Sequence, residues 1–403
     1  MRTLFTVQPS IGHLHPLIPV ANALAAAGHE VAICSAASFR CEVEAFGLTH
    51  IDAGLDWLAE DMSTWRAFPA MPPPGPQFAA FVVTVFAGIT TERMVPDLLA
   101  VAEGWEPDLI VREGMEYGGC IVAELQGIAH ASVAGNGYAA VDSPQVCYFP
   151  GNRSLVAEAM GHHRARFGLP PDPNVLMPYR YLHLCFTPPQ WDGIDVPRPA
   201  NSHFLRHTDT LRPGAQLPAW VRQVPDRPTV YASLGTVFNK TPGVLEAIIQ
   251  GLREEPVNLI VTIGSDQDPA RFGPQPPNVH LVTSLPQPQL LPRCQLVVTH
   301  GGFNSVKECL SAGVPMVVVP ITADQPYNAE RCAAHGVARV VATGGRTAEA
   351  IREAAHDVLT DPSYRENTMR IQAQMQALPG PAHLVTLLET AARQPVQAAP
   401  STR

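Results

Sequence analysis

The sequence predicts an α/β protein made of two Rossmann-like halves, and three observations carry that expectation. At 403 residues the chain exceeds the size at which a single hydrophobic core keeps growing. Strand-like apolar runs alternate with helical patterns in units of about thirty residues, which is βαβ architecture and implies parallel sheets. The alternation stops in a polar, proline-containing stretch and then begins again.

In the first half, Leu4–Val7 reads as a strand, His15–Ala27 as an amphipathic helix closed by Gly28, and Glu30–Cys34 as a second strand. Asp108–Arg112, a helix over Tyr117–Gln126 and the strand Ala129–Ala134 form a later unit. The pattern restarts at Thr229–Leu234 and continues through Leu259–Ile263, Val279–Val282 and Arg339–Val341. The polar stretch His207–Val221, with Pro213 and Pro218, is the expected linker. The expected division is residues 1–208, a linker at 209–220, a second domain at 221–380, a terminal helix at 381–393 and a frayed tail at 394–403.

Composition bounds the function. The chain is 46% hydrophobic and 16% charged, enough for two cores and too apolar for wholesale disorder. A net charge of −9 without a Lys/Arg cluster argues against a nucleic-acid partner. The eight cysteines form no C-x-x-C pair and no zinc-type spacing, so most are expected as small core residues in a reducing cytoplasm. No signal-peptide pattern opens the sequence, and no run of about eighteen apolar residues would span a membrane. The 41 prolines gather in loops such as Phe68–Pro76 and Gly168–Pro173.

The most informative stretch is Thr299–Glu330. Leu296-Val297-Val298 reads as a short buried strand, and the turn His300-Gly301-Gly302-Phe303-Asn304-Ser305 leads from it into a helix ending near Gly313. Glycines let backbone approach a ligand, and a helix N-terminus favours an anion such as a diphosphate. The strand Pro315–Pro320 then delivers Asp324 and Gln325 beyond its C-terminal end, where open α/β sheets bind ligands. An acid beside an amide both accepts and donates hydrogen bonds, which suits sugar hydroxyls.

This segment resembles the donor-binding signature of inverting family 1 glycosyltransferases, the group containing plant UDP-sugar transferases and bacterial natural-product transferases. The resemblance implies the GT-B fold, in which two Rossmann-like domains face an interdomain cleft and the C-terminal helix, here about Ala382–Ala392, crosses back to the first domain. The first domain would bind the acceptor and the second the nucleotide sugar.

Within that resemblance, Gly12-His13-Leu14-His15-Pro16 is similar to the family's Gly-His-x-x-Pro pattern, making His13 the implied general base and His15 a structural residue. Histidine has the unperturbed pKa best suited to taking a proton near neutrality. Glu113 aligns with the acid that orients the base. A surface ion pair between Arg112 and Glu113 is the competing reading. Ser233-Leu234-Gly235-Thr236 resembles the family's phosphate loop, with Ser233 and Thr236 as contacts. His300, Gly302, Asn304 and Ser305 would complete the diphosphate cradle. Glu308 would receive ribose hydroxyls, Asp324 and Gln325 would hold the sugar, and Phe303 stands where plant enzymes have a tryptophan. Ser284, Leu285 and Gln287 fall in the base pocket, where Ser284 replaces a stacking tryptophan, so uracil and thymine both remain open. Asp324 and Gln325 fit a hydroxylated hexose slightly better than a deoxysugar.

Trp57, Trp65, Phe68, Phe78, Phe81 and Phe86 flank the proline-rich loop and would either line a hydrophobic acceptor site or form ordinary core. Asp266-Gln267-Asp268 resembles a metal-binding Asp-x-Asp but lacks an accompanying ligand, so solvated turn chemistry is expected, with no metal and no cofactor beyond the nucleotide-sugar co-substrate. The expected partners are a UDP- or dTDP-sugar and a small hydrophobic acceptor; a homodimer is compatible with the sequence. The alternatives are a non-hydrolysing nucleotide-sugar epimerase and a non-catalytic sugar-nucleotide-binding auxiliary protein.

Overall fold

The computed structural model describes residues 1–73, 76–134, 152–193, 199–265 and 267–394. The chain divides into two compact units, residues 1–210 together with 378–403, and residues 211–377. The first unit holds a seven-stranded sheet of β1 (Arg2–Thr6), β2 (Glu30–Ser35), β3 (Thr49–Asp52), β4 (Leu109–Glu113), β5 (Ala129–Val133), β6 (Leu182–Cys185) and β7 (Ser202–Phe204), in the order β3-β2-β1-β4-β5-β6-β7. The second holds β8 (Thr229–Ser233), β9 (Asn258–Thr262), β10 (Val279–Val282), β11 (Leu296–Thr299), β12 (Met316–Val318) and β13 (Ala338–Val340), ordered β10-β9-β8-β11-β12-β13. Every pairing is parallel.

Parallel sheets are covered on both faces, which is why β4, β5 and β8 are buried along their whole length. Side chains alternate between the faces. Phe5, Leu109 and Val111 enter one core with Leu17, Ile18 and Leu24, whereas Leu4 and Ile110 enter the opposite core with Leu98 and Ile121. The terminal helix Pro381–Arg393 places Leu384, Leu388 and Ala391 in the first of these cores, so the chain's last helix belongs to the first unit.

Both sheets reverse their strand order at one place. In the first unit β1 and β4 pair, with Thr6 opposite Arg112; in the second β8 and β11 pair, with Ser233 opposite Thr299. Loops leaving adjacent strands at such a reversal diverge to opposite sides and open a crevice at the carboxyl ends, where ligands bind.

One expected element differs. The helix expected at His15–Ala27 is a short turn of helix, Ile11–Leu14, followed by Ile18–Ala26. Pro16 and Pro19 have no N–H to donate, so the ladder is interrupted and restarts. In the expected linker, Leu217 N–H donates to Gln289 Oε1 at 3.1 Å and Gln289 Nε2 donates to Ala215 O at 2.8 Å. Cys147 and residues 395–403 lie outside the described residues; the other seven cysteines are free thiols, all buried except Cys41. No helix among the described residues is long and apolar enough to cross a membrane.

In the first sheet, His130 on β5 and His183 on β6 are buried, and burial pushes both imidazoles down to about 3. Ser132 Oγ lies 2.9 Å from His183 Nδ1. Since the folded state disfavours their protonation, stability is full above pH 6.5 and is lost as pH falls toward 3. Each histidine is expected to cost roughly 3 kcal/mol by pH 4. Urea unfolding of His130→Gln should show a flatter loss of stability between pH 6.5 and 4 than the unaltered chain; an unchanged slope contradicts a neutral buried ring.

Candidate active site

The first cluster forms at the β1/β4 reversal. The loop after β1 carries Ser10 into the helical turn Ile11–Leu14, and β4 ends at Glu113. His13 Nδ1 lies 3.0 Å from Glu113 Oε2, with the histidine side chain 25% exposed and the carboxylate 1% exposed. A carboxylate only accepts, so Nδ1 carries the proton in this pair. The same Oε2 accepts the Met115 N–H at 2.8 Å, which fixes the carboxylate, while Glu113 Oε1 has no hydrogen-bond partner among the described residues. A buried acid with unspent acceptor capacity is suited to compensating an imidazolium.

The surface pair of Arg112 and Glu113 does not exist. Arg112 is completely buried, and its Nη1 donates to the carbonyls of Glu113, Gly114 and Glu116 at 2.9, 3.1 and 2.7 Å. The guanidinium therefore braces the backbone that delivers Glu113. Glu116, also buried, accepts from Thr6 Oγ1 at 2.5 Å and from the N–H groups of Gly118 and Gly119, tying β1 to the next helix. His15 packs edge-on against Phe46, a structural contact.

The six aromatic residues form one network. Trp57 meets Trp65, Phe68 and Phe86 at ring-centroid distances of 5.6, 4.9 and 6.1 Å; Trp65 stacks with Phe81 at 6.3 Å, and Phe81 meets Phe78 at 6.0 Å. Phe86 in turn stacks on the His13 ring at 5.8 Å. Trp57, Phe78 and Phe81 are buried, whereas Trp65, Phe68 and Phe86 are half-buried. Phe86 sits in a π-helical segment, Thr84–Thr90, a wide-turn geometry frequent at functional sites.

The second cluster forms at the β8/β11 reversal. The His300 ring is packed between Gly235 and Gly302: a Cβ at Gly235 would lie 2.8 Å from His300 Cε1, and one at Gly302 would collide with His300 Nε2. Gly235 also has φ of +72°, a conformation that favours glycine. Burial pushes the His300 imidazole down to about 4 against a hydrogen bond with the Ser233 backbone, so the ring is neutral near pH 7. Gly302→Ala is therefore expected to displace His300 and weaken nucleoside-diphosphate binding at least about tenfold in calorimetry, a loss of about 1.4 kcal/mol. Unchanged affinity would mean that the ring does not shape that turn.

Helix Phe303–Ala312 begins at this turn. The first amide is already engaged, since Phe303 N–H faces Asp324 Oδ2 at 3.3 Å; the same oxygen accepts Asn328 Nδ2 at 2.8 Å. Gln325 Oε1 accepts the N–H groups of Ile321 and Thr322 at 2.7 and 3.0 Å, so the amide's remaining capacity is as a donor. Part of the expected sugar grip thus shapes its own loop. Gln287 Nε2 donates to Glu308 Oε2 at 2.7 Å, bringing two expected donor residues together. Asn304 and Ser305 are half-buried on the first turn, Thr236 and Ser284 are exposed, Leu285 is half-buried, and Phe303 is buried. Asp266 lies outside the described residues, and Asp268 accepts the Ala270 N–H to cap a 3₁₀ turn. No group of three His, Cys, Asp or Glu side chains suited to a metal ion occurs among the described residues.

Two further polar residues beside this turn carry no local sequence signal. Lys307 is buried, donates to Asn304 Oδ1 at 3.3 Å, and is pushed down to about 8 by desolvation despite neighbouring Glu308. Asn328 donates to Gly301 O at 2.9 Å as well as to Asp324, joining the glycine turn to the next helix.

Two parallel Rossmann-like sheets, each with a strand-order reversal, are the architecture of the GT-B fold. Comparison with known proteins agrees: residues 201–379 match the family model for UDP-glucoronosyl and UDP-glucosyl transferase. The chain is 27% identical to an aklavinone 7-β-L-rhodosaminyltransferase of Streptomyces galilaeus, over 96% of this chain and 95% of the relative. It is 26% identical to a 10-deoxymethynolide desosaminyltransferase of Streptomyces venezuelae, over 98% of both. The crystal structure of the glycosyltransferase VinC in complex with dTDP superposes with a TM-score of 0.78 at 26% identity, covering 97% of this chain and 99% of VinC. The chain is a GT-B glycosyltransferase, similar to these bacterial natural-product transferases.

Proposed function

We propose that the protein transfers a hexose or deoxyhexose from a dTDP- or UDP-sugar to a hydroxyl of a small hydrophobic natural product, with inversion at C1 and without a metal. The observation that carries this reading is the His13–Glu113 pair at 3.0 Å with an aromatic network ending on the imidazole. With Nδ1 turned to Glu113, Nε2 takes the acceptor's hydroxyl proton as its oxygen attacks C1. The bond from C1 to the phosphate oxygen breaks, and the diphosphate leaves with the electron pair. Attack opposite the departing group inverts the anomeric centre, and Glu113 compensates the imidazolium. Neutral His300 and the N-terminal dipole of helix Phe303–Ala312, whose first amide Asp324 holds, stabilise the departing anion. The names of the relatives support an apolar polyketide-type acceptor, and the dTDP complex of VinC supports a thymidine donor.

The test supplies dTDP- and UDP-sugars with and without anthracyclinone and macrolactone acceptors. Expected are acceptor-dependent release of nucleoside diphosphate and a product of inverted anomeric configuration by NMR coupling constants. Retained configuration contradicts the mechanism. Acceptor-independent inversion at C2 would instead identify an epimerase, and nucleotide binding without either reaction an auxiliary protein.

A further inference from the structure

The turn that carries His13 is held from outside itself. Ile11–Leu14 is only four residues long, and Ser10 at its N-cap makes no side-chain capping bond to it. So short a helix has little stability of its own, and its first amides lack intrahelical partners. The missing acceptor comes from a distant loop. Glu60 Oε1 accepts Ile11 N–H at 2.8 Å and Ser10 Oγ at 2.9 Å, and the adjacent Ala59 N–H donates to Pro9 O at 3.0 Å.

That loop is also the one bearing the aromatic network. Trp57 lies three positions before Glu60, and Trp65 Nε1 closes the loop by donating to Leu58 O at 2.8 Å. Thr64 Oγ1 accepts the Leu58 N–H at 2.9 Å, so residues 57–65 form a self-bonded body. One face of this body meets Phe86, which stacks on His13, and the other end grips the turn two residues before His13.

We propose that Glu60 is a positioning residue for His13, coupling the seating of an apolar acceptor on the aromatic loop to the alignment of the imidazole. This rests on the acceptor reading of the first unit given above. Glu60 itself touches no reacting atom; it sets the direction of the helical turn from which the ring projects. Misplacing a reacting group by about 1 Å is enough to cost about a hundredfold in rate.

The experiment compares Glu60→Ala and Glu60→Gln in the full chain, with kinetics at varied acceptor concentration, calorimetry with dTDP, and histidine ring ¹H–¹⁵N NMR. Glu60→Gln keeps an oxygen able to accept the same two hydrogen bonds. Expected is a fall in kcat of about ten- to a hundredfold for Glu60→Ala, with a raised acceptor KM, and recovery to within about threefold in Glu60→Gln. The dTDP affinity should stay unchanged, and the His13 ring resonances should shift or broaden in the alanine variant alone. A Glu60→Ala kcat within twofold of the unaltered chain overturns the proposal, as does a glutamine variant as impaired as alanine or an unmoved His13 resonance. The NMR arm reads His13 without turnover, so absence of transfer by the unaltered chain would count against the proposed reaction and leave the positioning result standing or falling by itself.

Discussion

His13→Ala is expected to lower kcat by about 10²- to 10⁴-fold while dTDP still binds with its original affinity. The base belongs to the first unit, whereas the expected diphosphate turn at His300–Ser305 belongs to the second, so removal of the imidazole leaves the anion site's own contacts untouched. Glu113→Gln should fall between the unaltered chain and His13→Ala. The amide can still face Nδ1 at the 3.0 Å position, but it carries no charge to compensate the imidazolium. Rapid-quench measurement of dTDP release with saturating acceptor separates this chemical step from binding. A His13→Ala variant within threefold of the unaltered rate would remove His13 from the mechanism.

The second large effect concerns folding. Glu124, near the end of helix Gly118–Gln126, faces two cations: Arg164 Nη2 at 3.0 Å and Arg180 Nη1 at 2.5 Å. The side chains are 5%, 1% and 14% exposed, so this triad is desolvated. Glu124→Ala leaves the buried Arg164 guanidinium and the half-buried Arg180 guanidinium without this counter-charge, an arrangement expected to cost about 3 kcal/mol. The triple replacement Glu124→Leu, Arg164→Met, Arg180→Met removes the stranded charges together with their partner and should recover much of that loss. Urea unfolding followed by circular dichroism tests both. A loss below about 1 kcal/mol in Glu124→Ala would show that water reaches and screens the triad.

How much of this was legible depended on whether the information was local. The strand–turn–helix pattern around His300–Ser305 lies on consecutive residues, and the two sheets follow from alternating runs whose faces are set by period alone. His13 and Glu113 have β2 and β3 between them in the chain, yet one follows β1 and the other ends β4, so the pairing of β1 with β4 at the strand-order reversal suffices to bring them together. Glu60 gave no signal because its partners, Ser10 and Ile11, become neighbours only through tertiary folding. Lys307 and Asn328 were equally silent: a lysine in a helix usually lies on a solvated face, and nothing local says that this one is buried. Apolar periodicity over His15–Ala27 does not register the missing donors of Pro16 and Pro19, at which the backbone breaks the helix into Ile11–Leu14 and Ile18–Ala26. Composition alone does not separate core from pocket for the aromatic residues, which in the fold run from a buried end at Phe78 and Phe81 to a half-buried end at Phe86.

A crystal structure with dTDP and an unreacted aglycone tests the central claim most directly. The account predicts the acceptor hydroxyl within about 3 Å of His13 Nε2, its rings against Trp65, Phe68 and Phe86, and His13 Nδ1 still on Glu113. An aglycone bound away from those rings, with its hydroxyl beyond reach of the imidazole, would contradict it.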